Sequence, residues 1–295
     1  MTTWTLILRS LRFHARSHLG VLLGAAVGSA VLIGALIVGD SVRGSLRDMA
    51  MARLGKVDLA LASGDRLFRD ELANDLHFTL RAPNAALVVP ALQLLGTAAA
   101  ADGSARANRV QVNGVDERFW QLASQAPGFV KLADDGLALN GPLAHQLGAK
   151  IGDSVLIRAP KPSQLSRDAP LAKEEDSSVA LRLRVEAIVS DAEMGRFSLQ
   201  ANQVAPFNAF VSLKTFQARL EATNRANVLL LSRGAPSADS AGADAEINAP
   251  KLATALKQAW QLADAQLELR KLPDRGVMEL RTGRVFLDPP VVEAA

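Results

Sequence analysis

The sequence predicts an α+β protein, with one N-terminal transmembrane helix followed by a mixed α/β extracytoplasmic region. Three observations predict it. Residues 19–38 (LGVLLGAAVGSAVLIGALIV) form a twenty-residue run without a charge. Arg9, Arg12 and Arg16 precede that run. Beyond it, strand-like alternation and short helical patterns follow one another irregularly, with no internal repeat.

Composition narrows the function classes. Hydrophobic residues make up 49% of the 295 and charged residues 21%, the balance of a folded chain. Aromatics are only 4%, tyrosine is absent and the net charge is +3. Stacking platforms and a concentrated basic stripe are therefore missing, and no nucleic-acid partner is expected. The absence of cysteine excludes disulfides, thiolate catalysis and thiolate-held metals.

The first element is a cytoplasmic amphipathic segment, residues 1–18. Trp4, Leu8 and Leu11 fall on one helical face, with Arg9, Arg12 and Arg16 spread over another. This pattern suits the membrane interface, with Trp4 at headgroup depth. Next comes the transmembrane helix, residues 19–39. Twenty helical residues span about 30 Å, the hydrocarbon thickness. Eleven of the twenty are Leu, Ile or Val. At about −0.3 to −0.6 kcal/mol each they contribute roughly −3 to −7 kcal/mol to insertion. Two other readings compete. A buried core helix would show a polar face, and a cleaved signal peptide would have a shorter apolar run ending in a small-residue site. The arginine-rich flank puts the N-terminus in the cytoplasm, so everything past Asp40 is expected outside. Gly20, Gly24 and Gly28 recur every fourth residue and make a ridge suited to helix packing, although glycine is also simply common in membrane helices.

A stalk helix is expected over 40–56, with Gly55 as its C-cap. A strand follows at 57–61 and a helix at 66–76. Strands are expected at 86–95 and 108–115, with a helix candidate at 116–123. A short helix at 142–147 has Pro142 near its start and Gly148 past its end. Strands come next at 154–158, at 180–190, the strongest alternation in the chain, and at 210–213. A helix at 214–220 and a strand at 227–232 complete the run. Residues 160–178 read as a polar loop and 233–250 as a linker or insertion. The last segment, 251–295, is expected to be further extracytoplasmic α/β structure. It holds a helix at 251–263, with Ala253, Leu256, Trp260 and Ala263 on one side, and strands at 266–272, 277–280 and 284–287.

These residues resemble the MacB/FtsX-type ABC transporter permeases. The resemblance is carried by GDSVRGSL (39–46), ARLGKVDLAL (52–61), VQVNGVDERFW (110–120), LALNGPLAHQLGAKIGDSVLI (137–157), LRVEAIVS (183–190) and AFVSLKTFQ (209–217), in the family's order. It implies a MacB-like periplasmic core domain over 57–232 in a bacterial inner membrane protein. It also implies an ABC ATPase subunit and a homo- or heterodimeric permease subunit as partners, alongside membrane lipid. The family's later membrane helices and its cytoplasmic coupling loop do not occur in these 295 residues. The chain is therefore expected to be a fragment, a truncated gene product or a split subunit. The alternative is a single-pass membrane-anchored binding or scaffold protein.

The sequence carries none of the common enzymatic signatures. There is no GxxxxGK[ST] phosphate loop and no G-x-S-x-G elbow. Residues 231–234 (LSRG) match an ABC-ATPase signature only by coincidence. His14, His18, His77 and His145 do not converge on a metal pattern, and His145 is expected on the surface of its helix. Asp134 with Asp135, Glu174 with Glu175 and Asp176, and Asp264 with Glu268 read as solvated charges. No catalytic residue, metal site or cofactor is expected.

Overall fold

The computed structural model describes residues 3–80, 87–129, 131–162, 178–200, 204–233, 247–273 and 276–283. It divides into two compact units, Met1–Ala52 and Arg53–Ala295.

The first unit is two helices, α1 (Thr3–Phe13) and α2 (Ala15–Ala52), separated by a break at His14. The expected transmembrane and stalk segments are thus one uninterrupted helix of 38 residues. The helix ends at Ala52, three residues before Gly55. Gly55 still does what the sequence requires of it, taking a left-handed φ of +58° in the turn that follows. A Cβ there would sit 2.4 Å from the Leu122 carbonyl oxygen.

The second unit contains β1 (Leu59–Ala62), β2 (Phe68–Arg69), α3 (Leu72–Leu80), β3 (Leu87–Ala100), β4 (Arg106–Val115), β5 (Gly136–Asn140), α4 (Gly141–Leu147), β6 (Ser154–Pro160) and β7 (Ser178–Val189). It continues with β8 (Phe207–Ser212), α5 (Leu213–Arg219), β9 (Arg225–Ala226), β10 (Val228–Ser232), α6 (Ala249–Ala259), β11 (Leu267–Leu272) and β12 (Val277–Thr282). Eight strands form one sheet in the order β1-β10-β3-β4-β8-β5-β7-β6, and β6 returns to pair with β3. The ladder therefore closes on itself through β3, β4, β8, β5, β7 and β6, with β10 and β1 as an outer flap.

The long strand β3 makes this closure possible. Its first residues, Leu87 to Ala91, pair with β10, and Thr97 to Ala100 pair with β6 on the same edge. Between them the edge would be bare. Asn227 fills the gap: its Oδ1 accepts from the Gln93 N–H at 2.8 Å, and its Nδ2 donates to the Gln93 carbonyl at 2.8 Å. The side chain thus imitates a strand residue and satisfies a backbone pair that folding would otherwise strand. Gly96 marks the changeover, at a register shift between Gly96 and Thr97. A Cβ on Gly96 would lie 2.3 Å from the Arg158 carbonyl oxygen, so β6 can approach only a glycine.

Aliphatic side chains from all six ring strands, with Leu143 of α4 and Phe216 of α5, form one core cluster. A second cluster is aromatic, with Phe119, Trp120, Phe197 and Phe210 in contact at ring separations of 5.3–5.6 Å. A third packs α3 and α6 onto the flap through Leu72, Leu76, Leu229 and Ala255.

Several elements depart from the sequence expectation. The helix expected at 66–76 begins only at Leu72, because Phe68 and Arg69 are drawn into pairing with Ala226 and Arg225. Residues 117–122 form a 3₁₀ turn capped by Asp116. Strand β5 was not expected; it is buried at every position and so lacks alternation. The helix of 251–263 stops at Ala259, and its buried residues are Ala255 and Ala259, with Leu252 and Leu256 partly covered; Trp260 is exposed. Most of the polar loop at 160–178 and of the linker at 233–250, and the strand at 284–287, lie outside the described residues.

Candidate functional site

The residues that the sequence suggests for membrane contact all lie in the first unit. Trp4 and Leu8 project from α1 with 72% and 62% of their surfaces exposed. Arg9 and Arg12 share that helix, and Arg12 lies in its last turn, where a cation complements the helix dipole. Arg16 opens α2 after the break at His14, whose ring stacks edge-on to Phe13 at 4.9 Å. Every residue from Thr3 to Met49 is exposed, including the whole aliphatic surface of residues 19–38. In water that much contiguous apolar surface is untenable; a hydrocarbon environment removes the penalty. The 38 residues of α2 extend about 57 Å, nearly twice the hydrocarbon thickness. The helix is thus long enough to cross and emerge. A Cβ on Gly20, Gly24 or Gly28 would meet nothing within 4 Å, so this ridge is open along its length.

In the second unit the buried polar groups organise structure. Asn140 ends β5 and caps α4. Its Oδ1 accepts from Leu143 N at 3.2 Å and Asn208 N at 3.1 Å, while its Nδ2 donates to the Gly195 and Pro206 carbonyls at 2.9 and 2.8 Å. Asn208 donates in turn to Gly195 and Phe197. These two asparagines fasten the backbone at Gly195, Phe197 and Pro206 to the ring.

One sequence expectation is corrected. Asp264, read as a solvated charge, is 4% exposed and accepts from the Arg69 guanidinium at 3.0 and 2.9 Å. Asp264, and then Asp75, raise the Arg69 pKa above its ordinary value, against the opposing cost of burial. No signal in the sequence could pair residues 195 positions apart. Among the remaining carboxylates, Asp134 accepts from Thr215 and Glu186 from the Ala133 N–H. Glu174, Glu175 and Asp176 lie outside the described residues. Leu231 and Ser232, the first half of the LSRG match, belong to β10, with Leu231 in the core.

His145 is exposed on α4, as expected, and His77 stacks edge-on to Phe78 at 5.8 Å. Among the described residues no group of three or more His, Asp or Glu side chains could hold a metal ion. Among the described residues, the clefts of this unit include two that are open to solvent. One, of about 470 Å3, has Trp120 and Pro90 among its apolar lining and Lys131, Lys214 and Glu117 among its charges. The other, of about 700 Å3, lies between the Leu220–Ala222 turn and the β11–β12 hairpin. Sequence reasoning did not single out Asn140, Asn208, Asn227 or Arg69.

The sequence profile described as the MacB-like periplasmic core domain matches residues 19–249. Solved structures also match. The periplasmic region of MacB from Actinobacillus actinomycetemcomitans is 13% identical, with a TM-score of 0.38 over 69% of this chain and 83% of that one. The extracellular domain of the noncanonic ABC-type transporter YknZ from Gram-positive bacteria is 12% identical, with a TM-score of 0.36 over 68% and 94%. No curated protein sequence matches.

Proposed function

The chain belongs to the family of the MacB-like periplasmic core domain, and from that premise we propose that it serves as a non-catalytic membrane subunit of an ABC transporter. In this reading α2 crosses the bacterial inner membrane with the N-terminus in the cytoplasm. The folded unit 53–295 then stands on the extracytoplasmic side. Partner ATPase closure displaces α1 and α2, and the chain carries that movement into the outer unit for export, extraction or mechanotransmission. Rigid elements with two arrangements suffice for such coupling. Trp4, Arg9, Arg12 and Arg16 would seat α1 at the lipid interface. Gly20, Gly24 and Gly28 would admit a helix of a second copy or of another permease subunit.

The observation that carries this reading is that one family profile spans both the apolar helix and the domain after it, from 19 to 249. A single-pass scaffold would share the anchor but would have no need of an ATPase.

Site-specific photocrosslinking separates the two. A photoreactive residue at Leu8, in membranes of the native host, should yield an adduct with a protein that carries a GxxxxGK[ST] loop. The adduct yield should change when ATP is added. Adducts restricted to lipid and to the chain itself, insensitive to nucleotide, would refute the transporter reading.

A further inference from the structure

We propose that Arg69 and Arg225 form a two-arginine clamp that docks a C-terminal arm, the Leu262–Ala265 turn with strands β11 and β12, onto the barrel-like ring, and that this arm is a separable element. The two arginines face each other directly across the β2–β9 ribbon. Both reach the same short 3₁₀ turn, Leu262–Ala265. Arg69 grips the Asp264 carboxylate with Nε and Nη2, and its backbone N–H adds a third bond at 3.1 Å. The fourth bond to that carboxylate comes from the turn itself, through Gln261 N at 2.9 Å. Arg225 Nη1 donates to the Ala263 carbonyl at 2.7 Å. The ribbon is in turn tied to α5, because Gln217 donates to Asp70 and to the Arg225 carbonyl, each at 2.8 Å.

The Asp264 side chain is completely buried and that of Arg69 is 16% exposed. Such a pair is costly to leave half-made, so it acts as a latch with few intermediate states. Among the described residues, β11 and β12 pair with each other in a separate two-stranded sheet and with no strand of the ring. Gln266, the joint between the turn and β11, is a non-glycine residue at a φ of +57°. Strain of that kind persists only when the surroundings impose it. The hairpin after it is mostly exposed, with Leu269 and Met278 open on one face. A two-stranded hairpin is marginal on its own in water. Its order therefore depends on the docked turn. Helix α6, by contrast, packs on α3 through apolar contacts and does not need the clamp. Docking also builds the 700 Å3 cleft, with Leu67 and Leu220 on the ring side and Leu267 and Arg281 on the arm. Undocking would remove one wall.

Hydrogen exchange read by mass spectrometry on the full chain in lipid nanodiscs tests this. Asp264→Asn and Arg69→Met should accelerate exchange across 262–282 by about tenfold or more, since local opening free energy sets protection. Peptides from β3 to β8 and from α6 should keep their rates. Arg225→Met should act on the same segment with a smaller change. Unchanged protection over 262–282 would overturn the clamp. Loss spread evenly over the ring and α6 would overturn the separable arm.

Discussion

Asn227→Ala should open the ring where β3 changes partners. Asn227 is 3% exposed, and its amide bonds to both backbone groups of Gln93 and to the Gly64 carbonyl at 2.9 Å. Alanine leaves those three groups without this partner. Each buried orphan costs about 1–3 kcal/mol, and water entering from the flap side recovers part of it, so the net loss should be about 2–5 kcal/mol. That is a large share of the roughly 5–15 kcal/mol that holds a domain together. Asn227→Asp keeps the acceptor for Gln93 N but aims a carboxylate oxygen at two carbonyls, so it should be at least as damaging. The assay is urea unfolding of the full chain in detergent, followed by Trp120 emission with Trp4 and Trp260 replaced by phenylalanine. Trp120 is buried against Phe119, Phe129 and Phe210 and reports the domain core. With a urea slope of about 2–3 kcal/mol/M, the midpoint should fall by about 1–2 M. A shift below about 0.2 M for both variants, equivalent to about 0.5 kcal/mol, would refute the role given to Asn227.

Gly96→Ala should cost about 1–3 kcal/mol in the same assay, because its methyl group would press on the Arg158 carbonyl where the ring closes; a neutral result would mean that β6 does not approach there. Asn140→Ala removes an N-cap and a four-way junction and should destabilise by about 2–5 kcal/mol, with Asn140→Asp no better, because Gly195 and Pro206 would then face a carboxylate. Lys161 lies 2.7 Å from Glu221 and holds its carboxyl below the usual value. A depressed folded-state pKa gives stabilisation that is present above the unfolded value and fades as pH falls through the folded one. Lys161→Met should raise the Glu221 titration midpoint, read by carboxyl NMR shifts, and should flatten that acid-side dependence. Gly24→Leu combined with Gly28→Leu should abolish any homodimer seen by crosslinking in membranes, whereas an unchanged dimer would place the interface elsewhere.

Physical signals with a short range were the legible ones. Residues 108–115 alternate in residue type, and β4 covers them; Val110 and Val112 lie in the core while Arg109 is exposed and Gln111 half-buried, although the last four positions are buried on both faces. The Pro142 and Gly148 pair marked α4 to within one residue, since those residue types answer local backbone demands at helix ends. The apolar run stood out because twenty consecutive residues without a charge are read from composition and length alone, with no distant partner needed. Strand β5 did not stand out, since burial on both faces erases period two. The buried face of α6 differs from the one its large side chains suggest, because small residues make the close contacts. Ala255 and Ala259 pack toward α3, and Trp260 caps the helix outside. The polar fasteners were invisible for a different reason. Asn227 is separated from Gln93 by 134 positions, and Asp264 from Arg69 by 195. An asparagine before a strand looks like a turn residue, and an aspartate near a helix end looks like solvent-facing charge. Only the closed ladder and the two-residue ribbon turn them into structural joints.

In the proposed topology α2 spans a bilayer, with α1 on the cytoplasmic side and the folded unit on the other. The chain has no cysteine, so single cysteines can be placed without background. Ser10→Cys sits on α1, and Ala101→Cys is exposed beyond β3. In spheroplasts, a membrane-impermeant maleimide should label Ala101→Cys at once and Ser10→Cys only after permeabilisation, with the chain staying in the carbonate-washed membrane pellet. Immediate labelling of Ser10→Cys, or recovery of a soluble product lacking its first forty or so residues, would contradict that topology.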